Sequence, residues 1–392
     1  MKRDKPWSVR LGYLFSGIGL GVVFTFGGLW LAGFPVGLGL TQPSFRKFFS
    51  AYQLLSTKYY EKIPQSTLLN GAVSGMVKSI GDPFTDYFTP EDAKQFQSTL
   101  SSSMVGIGVE IAQQGKRYVI HTVFPGTPAD KAGLKVGDLL LAVNGKSIDG
   151  MGFDNIRKLI AGPKGTYVSL TVEHPLTDKK ETVVKVKRDE VIIPTVYTKM
   201  LNQHIGYMNI TVVGAKTGGE VQKGYTSLHA EGAKSLIIDL RNNPGGYLDQ
   251  AIQIANLLIP SGDKVLSTVD RSGKTTVYKS KGPGAKLPIV VLINGNTASA
   301  AEVLASALHD DVHAPLVGEK SFGKGTVQET AGYADGSELK YTVAKWLTAD
   351  GKWIHHVGIE PTNVVPLQNS AGPSASDNQL AKAEELAVLA LK

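Results

Sequence analysis

The chain has 392 residues, 42% of them hydrophobic and 19% charged, which excludes a disordered polymer and allows two or three domains. It contains no cysteine, so disulfides, thiolate catalysis and cysteine zinc sites are excluded, and a location outside the cytoplasm is chemically easy. The net charge of +7 is scattered, with no basic block interleaved with aromatics, so no nucleic acid is expected as a partner.

Residues 1–10 carry Lys2, Arg3, Lys5 and Arg10 against a single Asp4. Leu11–Phe34 follows with no charged residue, and its 24 residues exceed the length needed to cross a bilayer. The positive-inside rule then predicts a cytoplasmic tail at 1–10, a retained single-pass anchor at 11–34, and the remainder outside the cell membrane. A cleaved signal peptide would have a shorter apolar region and a small-x-small site.

Residues 41–100 read as helical. Phe45, Phe48, Phe49, Tyr52, Leu54 and Leu55 form one stripe and Leu68–Ile80 another, ended by Gly81-Asp82-Pro83. Aromatics at that spacing are core, so they receive no chemistry. Glu91–Leu100 is a further short helix after Thr89-Pro90.

From Ser101 to Arg188 the pattern turns to β. Strands are expected at Tyr118–Val123, Leu139–Val143, Tyr167–Val172 and Glu181–Val186, with Asn144-Gly145 as a hairpin turn and Phe153–Ile160 as a helix. Gly106-Ile107-Gly108-Val109, then Pro128–Leu134, Gly137-Asp138 and Gly162–Thr166, resemble a PDZ domain in their order. The resemblance implies that Gly106, Ile107, Gly108 and Val109 bind a partner's C-terminal carboxylate, the peptide adding as a strand.

From Ile192 strands and helices alternate, which implies a layered α/β core. The run Ser235–Leu240 leads into Arg241–Gly246, and Pro288–Ile293 leads into Asn294–Thr297 and an Ala-rich helix. Both are exits from strand ends, where α/β sites form, so they are expected to be neighbours. This places Ser299 at a helix N-terminus, with free amides suited to an oxyanion. The same Ser299-Ala300-Ala301-Glu302 spacing is also an ordinary capping box, and Thr297 is an alternative cap.

A serine nucleophile needs a base. None of the eight histidines sits in a catalytic motif. Lysine is the other known base, and Lys324 stands in Gly323-Lys324-Gly325. Its glycines permit close backbone approach, and Phe322 and Val327 are expected to supply an apolar wall that disfavours the ammonium form. Gly318–Lys324 nearly spells a P-loop, but Gly325 replaces the magnesium-binding hydroxyl and the residues after it read as a strand.

Together these motifs resemble the carboxyl-terminal processing peptidases, PDZ-containing serine proteases of family S41. The similarity spans roughly Leu68–Val365 and rests on Gly81-Asp82-Pro83, the PDZ block, Asp239–Gly246, Thr297–Glu302, Gly323–Gln328 and Gly358–Pro361. It implies Ser299 as nucleophile, Lys324 as general base, Gln328 orienting the lysine, and the amides of Gly245 and Ala300 as the oxyanion hole. It implies no metal or cofactor. Substrates would be proteins or peptides with free C-termini, and either a homo-oligomer or an activating partner is left open. Ala161 and Ala301 depart from the arginine and serine that many relatives carry there. The expected chain is a mixed α/β (α+β) protein: the transmembrane helix, a helical region at 41–100, an inserted β-rich PDZ domain at 101–188, an α/β layered protease core at 189–367, and a tail with a helix at 368–392. The rival reading is a catalytically silent PDZ adaptor at the membrane.

Overall fold

The computed structural model describes residues 43–174, 180–368 and 377–391, so the anchor expected at Leu11–Phe34 lies outside the described residues. Among the described residues no helix is long and apolar enough to cross a membrane. The chain divides into two compact units, Met1–Asp82 and Pro83–Lys392.

The first unit holds helices Pro43–Lys58 and Gln65–Lys78. The aromatic stripe of the first helix is not core, contrary to expectation. Phe45, Phe48, Phe49, Leu54 and Leu55 each expose between 43% and 51% of their surface. The two helices described in this unit are too few to enclose a stripe of that width. The second helix starts at Gln65, earlier than its stripe suggests, because Pro64 sets its first turn.

The second unit opens with the short strand Asp86–Phe88 and the helix Pro90–Ser101, capped by Thr89 and ended by Ser102 in a left-handed conformation. Strand Ser103–Gly106 then pairs antiparallel with Asp189–Ile192, and the β-rich domain lies between these two strands. Its sheet runs in the order Val109–Gln114, Arg117–Val123, Leu139–Val143, Tyr167–Glu173, Glu181–Lys187, all antiparallel, with Lys146–Ser147 alongside. Each expected strand is present within a residue or so. Asn144 and Gly145 both take positive φ, the geometry a two-residue hairpin requires. Ile120, Leu140, Ile156, Val168, Leu170 and Val186 give the domain its own core.

The core sheet runs Val196–Leu201, Ile205–Ile210, Ser235–Asp239, Ile289–Ile293, Leu316–Gly318, Asn363–Val364. Only its first pair is antiparallel. Period-2 alternation sends Leu236, Ile238, Val291 and Ile293 to one face, under helices Thr217–Ala230, Leu248–Leu258 and Ala300–Val312. Ile237, Val290 and Leu292 face the other way, against Ala383 and Ala387 of helix Asn378–Leu389. The strand–helix alternation predicted a layered α/β core, and the layers here are three.

A second sheet went unforeseen. Asp86–Phe88, Glu338–Leu347, Lys264–Asp270, Thr275–Lys279 and Thr326–Gly332 form a five-stranded antiparallel sheet, packed on the core through Val265, Leu266 and Trp346. Of its strands only Leu339–Trp346 and the run after Gly325 were anticipated, because the Lys264–Asp270 hairpin is short and its pairing partner lies far along the chain.

Candidate active site

The turn carrying Ser299 follows from its two flanks. Ile289–Ile293 is wholly buried and ends at Asn294. Thr297 does not cap the helix. Its hydroxyl donates to the Leu240 carbonyl at 2.8 Å and accepts from the Asn294 amide, locking the turn to the neighbouring strand exit. Ser299 itself is strained, with φ 56° and ψ −121°, a conformation costing about 1–3 kcal/mol for a residue with a side chain. Such a sharp strand-to-helix turn holds a nucleophile's hydroxyl out from the backbone. Glu302 accepts from the Ser299 amide at 2.8 Å, so the acidic arm of the capping box is made. The Ala300 amide, the next in line, has no acceptor among the described residues.

The Arg241–Gly246 loop is the expected neighbour. Ser235–Asp239 and Ile289–Ile293 are adjacent and parallel, so both loops leave the same edge. The Asn242 amide donates to Asn294 Oδ1 at 2.9 Å, and the Ala298 amide donates to the Asn243 carbonyl at 2.9 Å. Gly245 has φ 93°. A Cβ there would lie 2.6 Å from the Ala298 carbonyl oxygen and 2.9 Å from the Ala300 nitrogen. The two residues expected to form the oxyanion hole are therefore in direct contact. Their amides differ, however. The Gly245 N–H donates to Oδ1 of the fully buried Asn243 at 2.9 Å, so in this arrangement it is engaged and Ala300 alone offers an open donor.

Lys324 arrives from the other sheet, just before strand Thr326–Gly332. Its glycines do permit close approach. A Cβ on Gly323 would meet the Gly358 nitrogen at 2.8 Å, and one on Gly325 the His355 nitrogen at 2.8 Å. Two indoles clamp this backbone: Trp346 Nε1 donates to the Lys324 carbonyl and Trp353 Nε1 to that of Gly325. The expected apolar wall is only half right. Phe322 is more than half exposed, because its amide is drawn back to the Thr297 carbonyl, whereas Val327 lines the site. Phe84 supplies the aromatic face instead, with Lys324 Nζ 5.0 Å from its ring centroid. Gln328 lines the same site, and its Nε2 donates to the hydroxyls of Thr326 and Thr342.

These segments enclose one cavity of about 790 Å³, whose wall includes Gly245, Ser299, Ala300, Lys324 and Gln328. None of the eight histidines is among its lining residues. Sequence reasoning missed the contribution of the helix Pro90–Ser101, which brings Phe96, Gln97, Thr99 and Leu100, and it missed Lys340, whose Nζ lies about equally over the Phe88 and Phe96 rings. No local motif marks these residues, since they reach the site only through the fold.

In the β-rich domain, Gly106 closes the ribbon strand and Val109 opens Val109–Gln114, which is an edge strand among the described residues. Between them, Ile107 is buried and its carbonyl accepts from the Ala129 amide, while the Gly108 carbonyl accepts from the Phe124 amide. The amides of Ile107 and Gly108 have no acceptor among the described residues. Unpaired amides at the start of a free sheet edge are what carboxylate capture by strand addition requires.

Fold and site together describe a serine peptidase built around a PDZ module, and comparison with known proteins agrees. The chain matches the model for peptidase family S41 over residues 204–365, a PDZ domain model over 119–174, and the model of the activating protease CtpB N-terminal domain over 39–92. It is 42% identical over 318 residues to the carboxy-terminal processing protease CtpA of Bacillus subtilis, covering 81% of this chain and 68% of that one. It is 37% identical over 333 residues to CtpB of the same organism, covering 83% and 69%. Among solved structures it is similar to a photosystem II D1 C-terminal processing protease, at 29% identity and a TM-score of 0.48 over 82% of this chain and 87% of that one. The chain belongs to the carboxy-terminal processing proteases of family S41, which are serine peptidases.

Proposed function

We propose that this protein is a membrane-anchored endopeptidase that trims or degrades extracytoplasmic proteins, with Ser299 as nucleophile and Lys324 as general base. One observation carries the reading: the strained Ser299 turn at a helix N-terminus and Lys324 face one cavity whose wall holds no histidine. A serine–lysine pair is an established variant of the serine triad.

Neutral Lys324 takes the Ser299 proton as the hydroxyl attacks the scissile carbonyl. The ammonium so formed is attracted by the face of Phe84. The Ala300 amide receives the oxyanion, and the Gly245 amide joins it by exchanging its bond to Asn243 Oδ1. Lys324 then passes the proton to the leaving amine; water, deprotonated by the same lysine, attacks the acyl carbon, the bond to Ser299 Oγ breaks, and the lysine returns the proton to that oxygen. Gln328 orients the lysine from the strand that follows it. The PDZ domain holds the substrate's C-terminal carboxylate at Ile107 and Gly108, between Gly106 and the edge strand opened by Val109. Leu11–Phe34 anchors the chain with Lys2, Arg3, Lys5 and Arg10 on the cytoplasmic side.

The test uses the fragment from Thr41 to Lys392, incubated with an unstructured protein ending in apolar residues, beside Ser299→Ala and Lys324→Ala. Cleavage by the parent alone is expected. Cleavage that survives either substitution would remove the dyad. For the anchor, the full chain should stay with the membrane after alkaline extraction, and release into the supernatant would refute it.

A further inference from the structure

Glu302 occupies the third position of helix Ala300–Val312 and is wholly buried. Capping that helix needs one hydrogen bond from its side chain, yet the carboxylate accepts four. Oε2 accepts from the Ser299 amide at 2.8 Å and from the Lys324 amide at 2.8 Å. Oε1 accepts from the Gly323 amide at 2.7 Å and from the Ser321 hydroxyl at 2.6 Å. Ser321 is fixed in turn, its oxygen accepting from the Ile359 amide at 2.7 Å.

The count decides the chemistry. A carboxylate offers about four acceptor positions, two on each oxygen, and all four are filled. A glutamine could not do this, since it would turn its NH₂ toward two donors. Burying a carboxylate costs several kcal/mol unless donors compensate it. Here three amides, a hydroxyl and the positive end of the helix do so. A charge in that position exceeds what a cap demands, and its bonds join two segments about 20 positions apart: the turn of the nucleophile and the loop of the lysine.

We propose that Glu302 is a positioning residue that sets the separation of Ser299 and Lys324 by gripping both backbones through one carboxylate. It touches neither substrate nor the reacting atoms. The grip also holds Ser299 in its strained conformation, because the amide that Glu302 accepts belongs to the strained residue itself. The inference rests on the Ser299–Lys324 reading and deepens it.

The experiment uses the full chain in detergent, with Glu302→Gln, Ser321→Ala, Ser299→Ala and the parent. Four quantities are measured: kcat and KM on an unstructured protein substrate, the labelling rate of Ser299 by a fluorophosphonate, binding of a C-terminal peptide, and thermal unfolding. Displacing a reacting group by about 1 Å costs on the order of 100-fold. We therefore expect kcat per folded Glu302→Gln molecule to fall about that much, and the labelling rate with it, while KM and peptide binding stay put. If Glu302→Gln does not fold, Ser321→Ala decides, with an expected loss of about 3–10-fold in kcat at unchanged KM for one of the four donors. Parental kcat per folded molecule in Glu302→Gln, or in Ser321→Ala should the first not fold, overturns the positioning role alone. Cleavage by Ser299→Ala brings down the dyad and this inference with it.

Discussion

Gly245 is the residue whose freedom the site depends on most directly. Its φ of 93° is disfavoured for any side chain, and a Cβ would stand 2.8 Å from that of Ser299. Gly245→Ala must push the Arg241–Gly246 loop away from the Ser299 turn. We expect kcat to fall by about 100-fold or more, with a modest drop in the unfolding midpoint, as steady-state kinetics and calorimetry on the same sample would show. Asp311 offers a different test at the same scale. Burial first, then the charges of Asp263, Asp310 and Asp350, push its carboxyl up to about 6. Its Oδ2 is buried with no hydrogen-bond partner among the described residues. The folded chain therefore binds a proton more tightly than the unfolded one, and this residue's contribution to stability declines as pH rises from about 4 to about 6. Asp311→Asn should stabilise the protein at pH 7 by about 1 kcal/mol, discounted because the side chain is partly exposed, and the gain should vanish below pH 4. Denaturant unfolding at the two pH values reads it, and an equal effect at both would reject the titration.

At the scale of elements, the C-terminal helix does more than cover the sheet. Its N-cap, Asp377, accepts from Arg241 Nη1 at 3.0 Å and Nη2 at 2.7 Å, while Asp239 and Gln379 take the remaining guanidinium donors. Arg241 begins the loop that carries Gly245, so the helix Asn378–Leu389 is pinned to that loop. Burial works against both charges, but hydrogen bonds overcome it: those to Asp239 and then Asp377 raise the Arg241 guanidinium, and those from Arg241 and the Leu380 amide hold the Asp377 carboxyl below its usual range. A depressed carboxyl contributes stability that is full above the unfolded value near 4 and lost as pH falls through the folded one. Asp377→Asn should cost about 1–2 kcal/mol at pH 7 and progressively less toward pH 3, measurable by urea unfolding. The helix itself was legible from its periodicity. Its role was not, since the Ser/Gly-rich run before it gives no sign that Asp377 returns to an arginine 136 positions earlier.

Across the whole molecule, the helix Pro90–Ser101 stands between the cavity of Ser299 and Lys324 and the β-rich domain. Four of its residues line that cavity, and its end runs into the ribbon that flanks the PDZ domain. The ribbon is tied down by the Ile193 amide on the Ser102 carbonyl and the Ala215 amide on that of Leu100. Binding and cleavage should nonetheless separate. Gly108→Ala drives a Cβ into the Thr127 side chain, within the loop proposed to hold a carboxylate. We expect about tenfold weaker binding of a C-terminal peptide, near 1.4 kcal/mol, with labelling of Ser299 unchanged. Equal losses in both would mean that the loop and the catalytic cavity are one cooperative unit.

What the chain determined locally is what short-range chemistry can write. Period-2 and period-3.6 patterns place the strands of both domains and the helix after Ser299. Paired glycines mark the backbone approach at Lys324, and parallel strand exits bring the Arg241–Gly246 loop to the Ser299 turn. Other features needed the tertiary structure because they join residues whose separation no local pattern encodes. The second sheet pairs Ser267 with Leu347. The Gly245 amide turns to Asn243 because Asn243 is locked to the Ile210 carbonyl on the neighbouring strand. Phe84, not Phe322, faces the lysine, since the Phe322 backbone is tied to the nucleophile turn. The S-x-x-E spacing at Ser299 is common to any capped helix, and its meaning here comes from three further donors that only the folded chain carries to Glu302.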